Sequence, residues 1–311
     1  MTGENGLRYS SILGAALLLA GCSTGMSSSG FAERVGDARY ASDIVRFASE
    51  CEPWDDWNKP AKPFLIHANT YYVGTCGIAA ILITSNEGHA LIDTGTAEGA
   101  DVALANIRAL GFDPADIRIL LASHEHFDHV GGMAKMQAAT GGEVIFSEIG
   151  IHVLANGTDH PDDPQFGMHP PMQRITHGMP YYYANAPELL ARFGITPHLT
   201  PGHTPGAMSW SWQSCDSAGI CKTIVYADSM SPVSSDDYRF SDHPEYVAQY
   251  RAGIERLRGL KCDILLTPHP SHSKMIERAA TGTFEDGMTC ADYADAKVKA
   301  LDERLAKEAA Q

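Results

Sequence analysis

From about residue 70 onward, short apolar runs alternate with turn signals along the chain. Thr70–Val73, Ile78–Thr84 and His89–Ile92 are brief and rich in β-branched and aromatic residues. Gly74 and Asn86-Glu87-Gly88 divide them, which predicts three strands. Val102, Leu104, Ile107 and Leu110 then recur at helical spacing, with Thr96 placed as an N-cap and Gly111 as the stop. The continuous apolar run 117–122 reads as a buried strand, and a helix is expected over Val130–Ala139. The second half repeats this order. Glu143–Phe146 predicts a strand, and the Pro/Gly/His-rich stretch Asn156–Pro180 a long irregular loop of the kind that often serves as a lid. Strands follow at Ile195–Leu199, Ala207–Trp212, Thr223–Tyr226 and Asp263–Leu266, with an amphipathic helix at Pro244–Leu260 and a polar closing helix at Tyr293–Ala309. Mixed strands with helices from both halves predict an α/β fold, a four-layer αββα sandwich in one domain over residues 51–311.

Residues 1–50 are expected to lie outside that sandwich. Ile12–Ala20 is apolar but nine residues long, too short for a permanent membrane span and suited to a secretory signal over residues 1–21. Leu19-Ala20-Gly21-Cys22 resembles the bacterial lipobox, which implies cleavage before Cys22 and a lipid anchor there, hence a periplasmic lipoprotein. A Ser/Gly-rich tether and lead-in over 22–50 would follow, and Pro53, Pro60 and Pro63 suggest extended chain beyond it. Export permits disulfides. Cys51, Cys76, Cys215, Cys221, Cys262 and Cys290 allow fifteen pairings. Loop closure favours Cys215–Cys221, with Cys51–Cys76 and Cys262–Cys290 as the remaining neighbours. The net charge of −15 argues against a nucleic-acid partner, whose binding needs Lys and Arg at phosphates. Nothing in the sequence sets an oligomeric state.

The chemistry concentrates in His124-Glu125-His126-Phe127-Asp128-His129, directly after the buried run. An extended tip aims His124 and His126 at one point, while Asp128 and His129 curl round to a second. Imidazole and carboxylate together suit zinc. His203, in a Pro-Gly-His-Thr-Pro-Gly turn, and His269, in Thr-Pro-His-Pro, also follow apolar strands. Three histidine sites at strand ends are where α/β sheets place ligands. The other nine histidines, among them His67, His89 and His198, are read as surface or core residues. Glu125 is read as facing solvent.

His-x-His-x-Asp-His, the later Pro-Gly-His turn and the last His resemble the metallo-β-lactamase superfamily. Asn69–Thr75 (Asn-Thr-Tyr-Tyr-Val-Gly-Thr), Leu91–Gly95, Ala227–Ser231 and Leu266–Pro270 are similar to class B β-lactamases of the third subclass. The resemblance implies two zinc ions, one held by His124, His126 and His203 and one by Asp128, His129 and His269. It implies that Asp128 also orients the attacking water, that Ser229 and Ser231 bind the substrate carboxylate or a water, and that Asp93 supports the ligands from behind. It also fits three disulfides, since some members of the subclass carry them. Gln165, Phe166 and Met168 in the long loop are candidate groove contacts. The implied activity is β-lactam hydrolysis by water activated at zinc, a route that needs no protein nucleophile. Two other readings remain: a thioesterase or lactonase of the same fold, with Asp228 bridging the metals, and a non-catalytic zinc-binding protein.

Overall fold

The computed structural model describes residues 41–310, which belong to one compact unit. The proposed leader, the lipobox at Cys22 and most of the tether lie outside the described residues.

A seven-stranded sheet runs in sequence order: β1 (Phe64–His67), β2 (Thr70–Tyr72), β3 (Ile81–Ser85), β4 (Gly88–Ile92), β5 (Ile117–Leu121), β6 (Glu143–Phe146) and β7 (Met179–Pro180). β1 to β4 pair antiparallel, and β4 to β7 pair parallel. The parallel centre explains the unbroken apolar run at 117–122: Ile119, Leu120 and Leu121 are all fully buried, because both faces of the strand are covered.

The second sheet has the order β11-β10-β9-β8, with β8 (Thr196–Leu199), β9 (Met208–Cys215), β10 (Cys221–Tyr226) and β11 (Ile264–Leu266). Its residues alternate between two cores, as the two-residue strand repeat requires. Ile224, Tyr226, Ile264 and Leu266 pack toward the first sheet. Val225 and Leu265 face a separate cluster with Tyr250, Ile254 and Leu257 of helix α7 (Pro244–Arg258) and Tyr293, Ala294 and Leu301 of helix α9 (Cys290–Ala309). This two-sheet arrangement with flanking helices is the expected sandwich.

The remaining helices are α1 (residues 41–50), α2 (Ala97–Ala109), α3 (Phe127–Val130), α4 (Met133–Thr140), α5 (Glu148–Asn156), α6 (Ala186–Arg192) and α8 (Met275–Ala279). Three features depart from expectation. Residues 41–50 are not tether but a helix whose Ile44 and Phe47 enter the main core. The stretch before the long loop is the helix α5, capped by Ser147 Oγ accepting from the Gly150 N–H. The helix expected over 130–139 is two, α3 and α4, separated by Gly131-Gly132. A Cβ on Gly132 would lie 2.4 Å from the Ala100 Cβ and 2.8 Å from the Thr96 carbonyl oxygen, so the close approach of α2 admits only glycine there.

The disulfides are Cys51–Cys76, Cys215–Cys221 and Cys262–Cys290. Cys215 and Cys221 are register partners at the end of the β9–β10 hairpin, so the shortest bridge closes a turn. Among the described residues no helix is long and apolar enough to cross a membrane.

Candidate metal centre

The His-rich run leaves β5 at the end of the parallel strands. His126 is still extended, at φ −73° and ψ 148°, and α3 begins one residue later. Extended backbone therefore carries His124 and His126, and one helical turn swings Asp128 and His129 to a neighbouring point. His203 comes from the turn between β8 and β9, and His269 from the segment after β11. That turn requires Gly202, because the Tyr250 ring lies 2.1 Å from where a Cβ would stand and φ there is +153°.

These side chains meet in two adjoining triads. Donor atoms of His124, His126 and His203 all lie within 4.8 Å of one another, as do those of His124, Asp128 and His129. Asp128 Oδ2 is 3.1 Å from His129 Nε2 and 3.3 Å from His269 Nε2, and the two imidazole nitrogens are 3.2 Å apart. Donors about 2.0–2.1 Å from one tetrahedral metal are separated by about 3.3–3.4 Å, so this triangle has the size of a coordination face.

Each histidine of the first triad is fixed through its other ring nitrogen. His124 Nδ1 lies 2.9 Å from Asp228 Oδ1, His126 Nε2 lies 3.0 Å from Asp163 Oδ2, and His203 Nδ1 donates to the Ser231 carbonyl at 2.8 Å. Such partners set the tautomer and aim the free nitrogen. In the second triad, His129 Nδ1 is 3.6 Å from Asp93 Oδ2, and His269 has a backbone hydrogen bond with Gly77. Asp93 adopts φ +60°, a conformation that Asp tolerates better than most residues. Its carboxylate accepts from the Ser123 N–H and O–H and from the Tyr226 hydroxyl, at 2.7, 2.8 and 2.7 Å.

The electrostatics agree with a cation site. Burial and the neighbouring imidazoles hold His124 and His203 well below the ordinary histidine value, so both are neutral, the form that ligates metal. Burial pulls His129 the same way, but Asp128 and Asp93 overcome it and raise it to about 10. A field that holds a proton so tightly also favours a metal ion. His124 Nε2 is buried with no protein partner, an arrangement that costs free energy unless something occupies the point it faces. The donor set fits a divalent metal.

Other expected residues lie in the two loops that hold His126 and His203 through Asp163 and the Ser231 carbonyl. Ser229 is fully buried, with its Oγ unpartnered. Ser231 is half-buried and donates to the Ser229 carbonyl at 3.2 Å. In the long loop Gln165 is buried, its Nε2 unpartnered, while Phe166 and Met168 face solvent at 54% and 53% exposure. Asp228 places one carboxylate oxygen on His124 and the other on the Met230 N–H at 3.0 Å.

Glu125 corrects the sequence reading. It is buried, and its carboxylate accepts from Thr204 Oγ1 at 2.7 Å and the Gly206 N–H at 2.8 Å, joining the His124–His126 segment to the His203 turn. The alternation of an extended chain holds the missed signal: if His124 and His126 face the metal point, residue 125 faces the opposite way. Two histidines read as surface or core also belong here. The His169 ring lies 4.2 Å from that of His126, and the His272 ring 4.9 Å from that of His269. Trp54 and Trp57 stand beyond them, 6.3 and 6.2 Å from the His269 ring. No local signal marked Asp163, because its partner is 37 residues away.

Two packed sheets with histidine triads at their strand ends define a metal-binding α/β sandwich protein. The chain belongs to the metallo-beta-lactamase superfamily, whose family model matches residues 73–269. Among solved structures it is similar to MIM-2 metallo-beta-lactamase, at 45% identity and TM-score 0.76, over 85% of this chain and 98% of that one. It is similar to metallo-beta-lactamase SMB-1 at 39% identity and TM-score 0.75, over 82% of this chain and 100% of that one. MEM-A1, a subclass B3 metallo-beta-lactamase from a soil metagenome library, matches at 36% identity and TM-score 0.75, over 82% and 99%. More distant curated relatives include ribonuclease TTHA0252 of Thermus thermophilus, 28% identical over 51% of this chain, and N-acyl homoserine lactonase AttM of Agrobacterium fabrum, 26% identical over 46%. The chain spans 36% and 62% of the lengths of those two proteins.

Proposed function

We propose that this protein is a zinc-dependent β-lactamase of the third subclass, opening the cyclic amide of β-lactam antibiotics and so conferring resistance to them. The observation that carries the reading is the pair of adjoining donor triads, His124/His126/His203 and Asp128/His129/His269, without a cysteine ligand. The likeness to subclass B3 enzymes supports the substrate class.

Each triad would hold one zinc ion. Bound zinc supplies Lewis acidity, lowering the pKa of water and polarising a carbonyl. The protein's own groups fix the rest. Asp163, Asp228 and the Ser231 carbonyl hold three imidazoles in place, so no reorganisation is needed at the moment of reaction. Asp128, deprotonated because the His129 and His269 imidazoles offset its burial, supplies a carboxylate to orient the attacking water. Ser229 Oγ, with no partner in the protein, is free to meet substrate or solvent. Phe166 and Met168, exposed in the loop beside Asp163, would cover a bound bicyclic ring. The leader read in residues 1–21 and the lipobox at Cys22 make the periplasm the working compartment, with an acyl anchor.

A lactonase or thioesterase with Asp228 bridging the metals is disfavoured by the position of that carboxylate. One oxygen accepts from the Met230 N–H, and the other lies 2.9 Å from His124 Nδ1, across the ring from the free Nε2. Purified protein lacking residues 1–22 should open a carbapenem and a chromogenic cephalosporin, lose that activity with chelator, and contain two zinc ions per chain. Turnover of a glutathione thioester with both β-lactams intact would reject the assignment, and one zinc per chain would reject the dinuclear site.

A further inference from the structure

Lys297 is a buried lysine amine that the centre described above does not use. It lies on α9 and is only 8% exposed. Its Nζ donates to Ser231 Oγ at 2.9 Å and sits 4.8 Å from the Tyr293 ring centroid. Among the described residues it has no carboxylate within ion-pair distance. A buried cation is costly unless an anion compensates it.

Its surroundings point to where that anion would come from. Tyr293 and Lys297 are four residues apart on one face of α9 and reach the same loop. The Tyr293 hydroxyl lies 3.0 and 2.8 Å from the Asp228 and Ser229 carbonyls, and Lys297 holds the Ser231 side chain. Beside them, Ser229 Oγ and His272 Nδ1 are buried with no protein partner. Asp228 lies beyond ion-pair distance of Lys297; one of its oxygens accepts from the Met230 N–H, and the other, 2.9 Å from His124 Nδ1, has no hydrogen-bond partner. This side of the centre thus holds one lysine amine without an ion partner, a hydroxyl it donates to and three unsatisfied polar atoms.

We infer that Lys297 is the charge that selects substrates carrying a carboxylate, acting through Ser231. Lys297 donates to Ser231 Oγ, which leaves the hydroxyl proton to swing from the Ser229 carbonyl toward an incoming anion. The ammonium behind it supplies the long-range attraction. Burial lowers Lys297 to about 7, with Asp228 working in the opposite direction, so a bound carboxylate would also keep the ammonium protonated. The inference rests on the β-lactamase reading and adds to it a residue from the C-terminal helix.

The test compares one cephalosporin as its free acid and as its methyl ester, in wild type, K297M, K297R and S231A, with zinc content and thermal midpoint measured for each. Wild type should prefer the acid, and added salt should erode that preference. K297M should lower the acid-to-ester ratio of kcat/KM at least tenfold, chiefly through KM for the acid. K297R should restore most of it, and S231A should lose most of it. An acid-to-ester ratio in K297M within twofold of wild type, at unchanged zinc content, overturns the inference. If K297M does not fold, a wild-type preference that is insensitive to salt and unchanged in S231A overturns it equally. Failure of wild type to open either compound would instead reject the β-lactamase assignment.

Discussion

Glu125 stands between two inward-facing histidines, and its carboxylate points the other way, into the turn that carries His203. Removing it strands the Thr204 hydroxyl and the Gly206 N–H inside the protein, at about 1–3 kcal/mol for each unmet group. Glu125→Ala should therefore lower the unfolding free energy of the metal-free protein by about 2–6 kcal/mol, read from urea titrations. Glu125→Gln should cost less, since its amide oxygen still accepts one of the two bonds. Both variants should lose metal to a chelator faster than wild type, because the clamp between the His126 and His203 segments is gone. Wild-type stability and wild-type release in Glu125→Ala would show that the clamp carries no weight. The same residue marks the limit of reading chemistry from sequence. His124, His126, Asp128 and His129 were legible because ligand types cluster within six residues, and His203 and His269 because each follows an apolar strand. Asp163 owes its position to a partner 37 residues away, which no local pattern announces, whereas strand alternation placed Glu125 and only its partners Thr204 and Gly206 are distant.

At the scale of elements, continuous apolar runs such as 117–122 were legible as strands because they admit few other readings, but the short buried strand β1 beside Pro63 was not. The other errors fell where helices are short or carry few apolar residues. α1 presents only Ile44 and Phe47 fully to the core, and α5 is nine residues long and opens onto the long loop. α9 was expected as a polar closing helix, but its attachment was not. Its last turn places the Glu308 carboxylate on the Phe240 and Ser241 N–H groups, at 3.1 and 2.8 Å, and on Arg304 Nε at 2.6 Å. Burial raises the Glu308 carboxyl, but Arg304 and the two backbone donors outweigh it and hold it below its ordinary value of 4.5. A depressed carboxyl stabilises the fold fully above the unfolded-state value, and that contribution is lost as pH falls through the folded one. Glu308→Gln should thus cost about 2 kcal/mol at pH 7, the scale of a hydrogen bond to a charged group. The gap to wild type should close as urea midpoints are taken from pH 5 down to pH 3. A gap that is constant over that range would mean the carboxylate's charge contributes nothing.

The whole molecule is two sheets joined face to face, and the donor triads lie across the seam. His124, His126, Asp128 and His129 follow a strand of the seven-stranded sheet, whereas His203 and His269 follow strands of the four-stranded one. A few polar ties already cross there: the Met208 N–H donates to the Ser123 carbonyl at 2.7 Å, Trp210 Nε1 to the Ala122 carbonyl at 2.8 Å, and Tyr226 to Asp93. Metal bound by either triad would add a bond from one sheet to the other. Since the unfolded chain cannot assemble the triads, binding should raise stability by RT ln(1 + [metal]/Kd), about 4 kcal/mol at a thousandfold excess over Kd. The thermal midpoint should therefore climb with the logarithm of free zinc, held by a metal buffer, and fall on chelation. His269→Ala should keep one zinc and a shallower dependence, and His203→Ala should weaken the other site. Hydrogen exchange locates the effect: chelation should speed it at the ends of β5, β9 and β11 and in the loop tethered through Asp163, and leave the α7–α9 packing little changed. A midpoint independent of zinc, or an exchange response confined to α7 and α9, would show that the metals do not join the sheets.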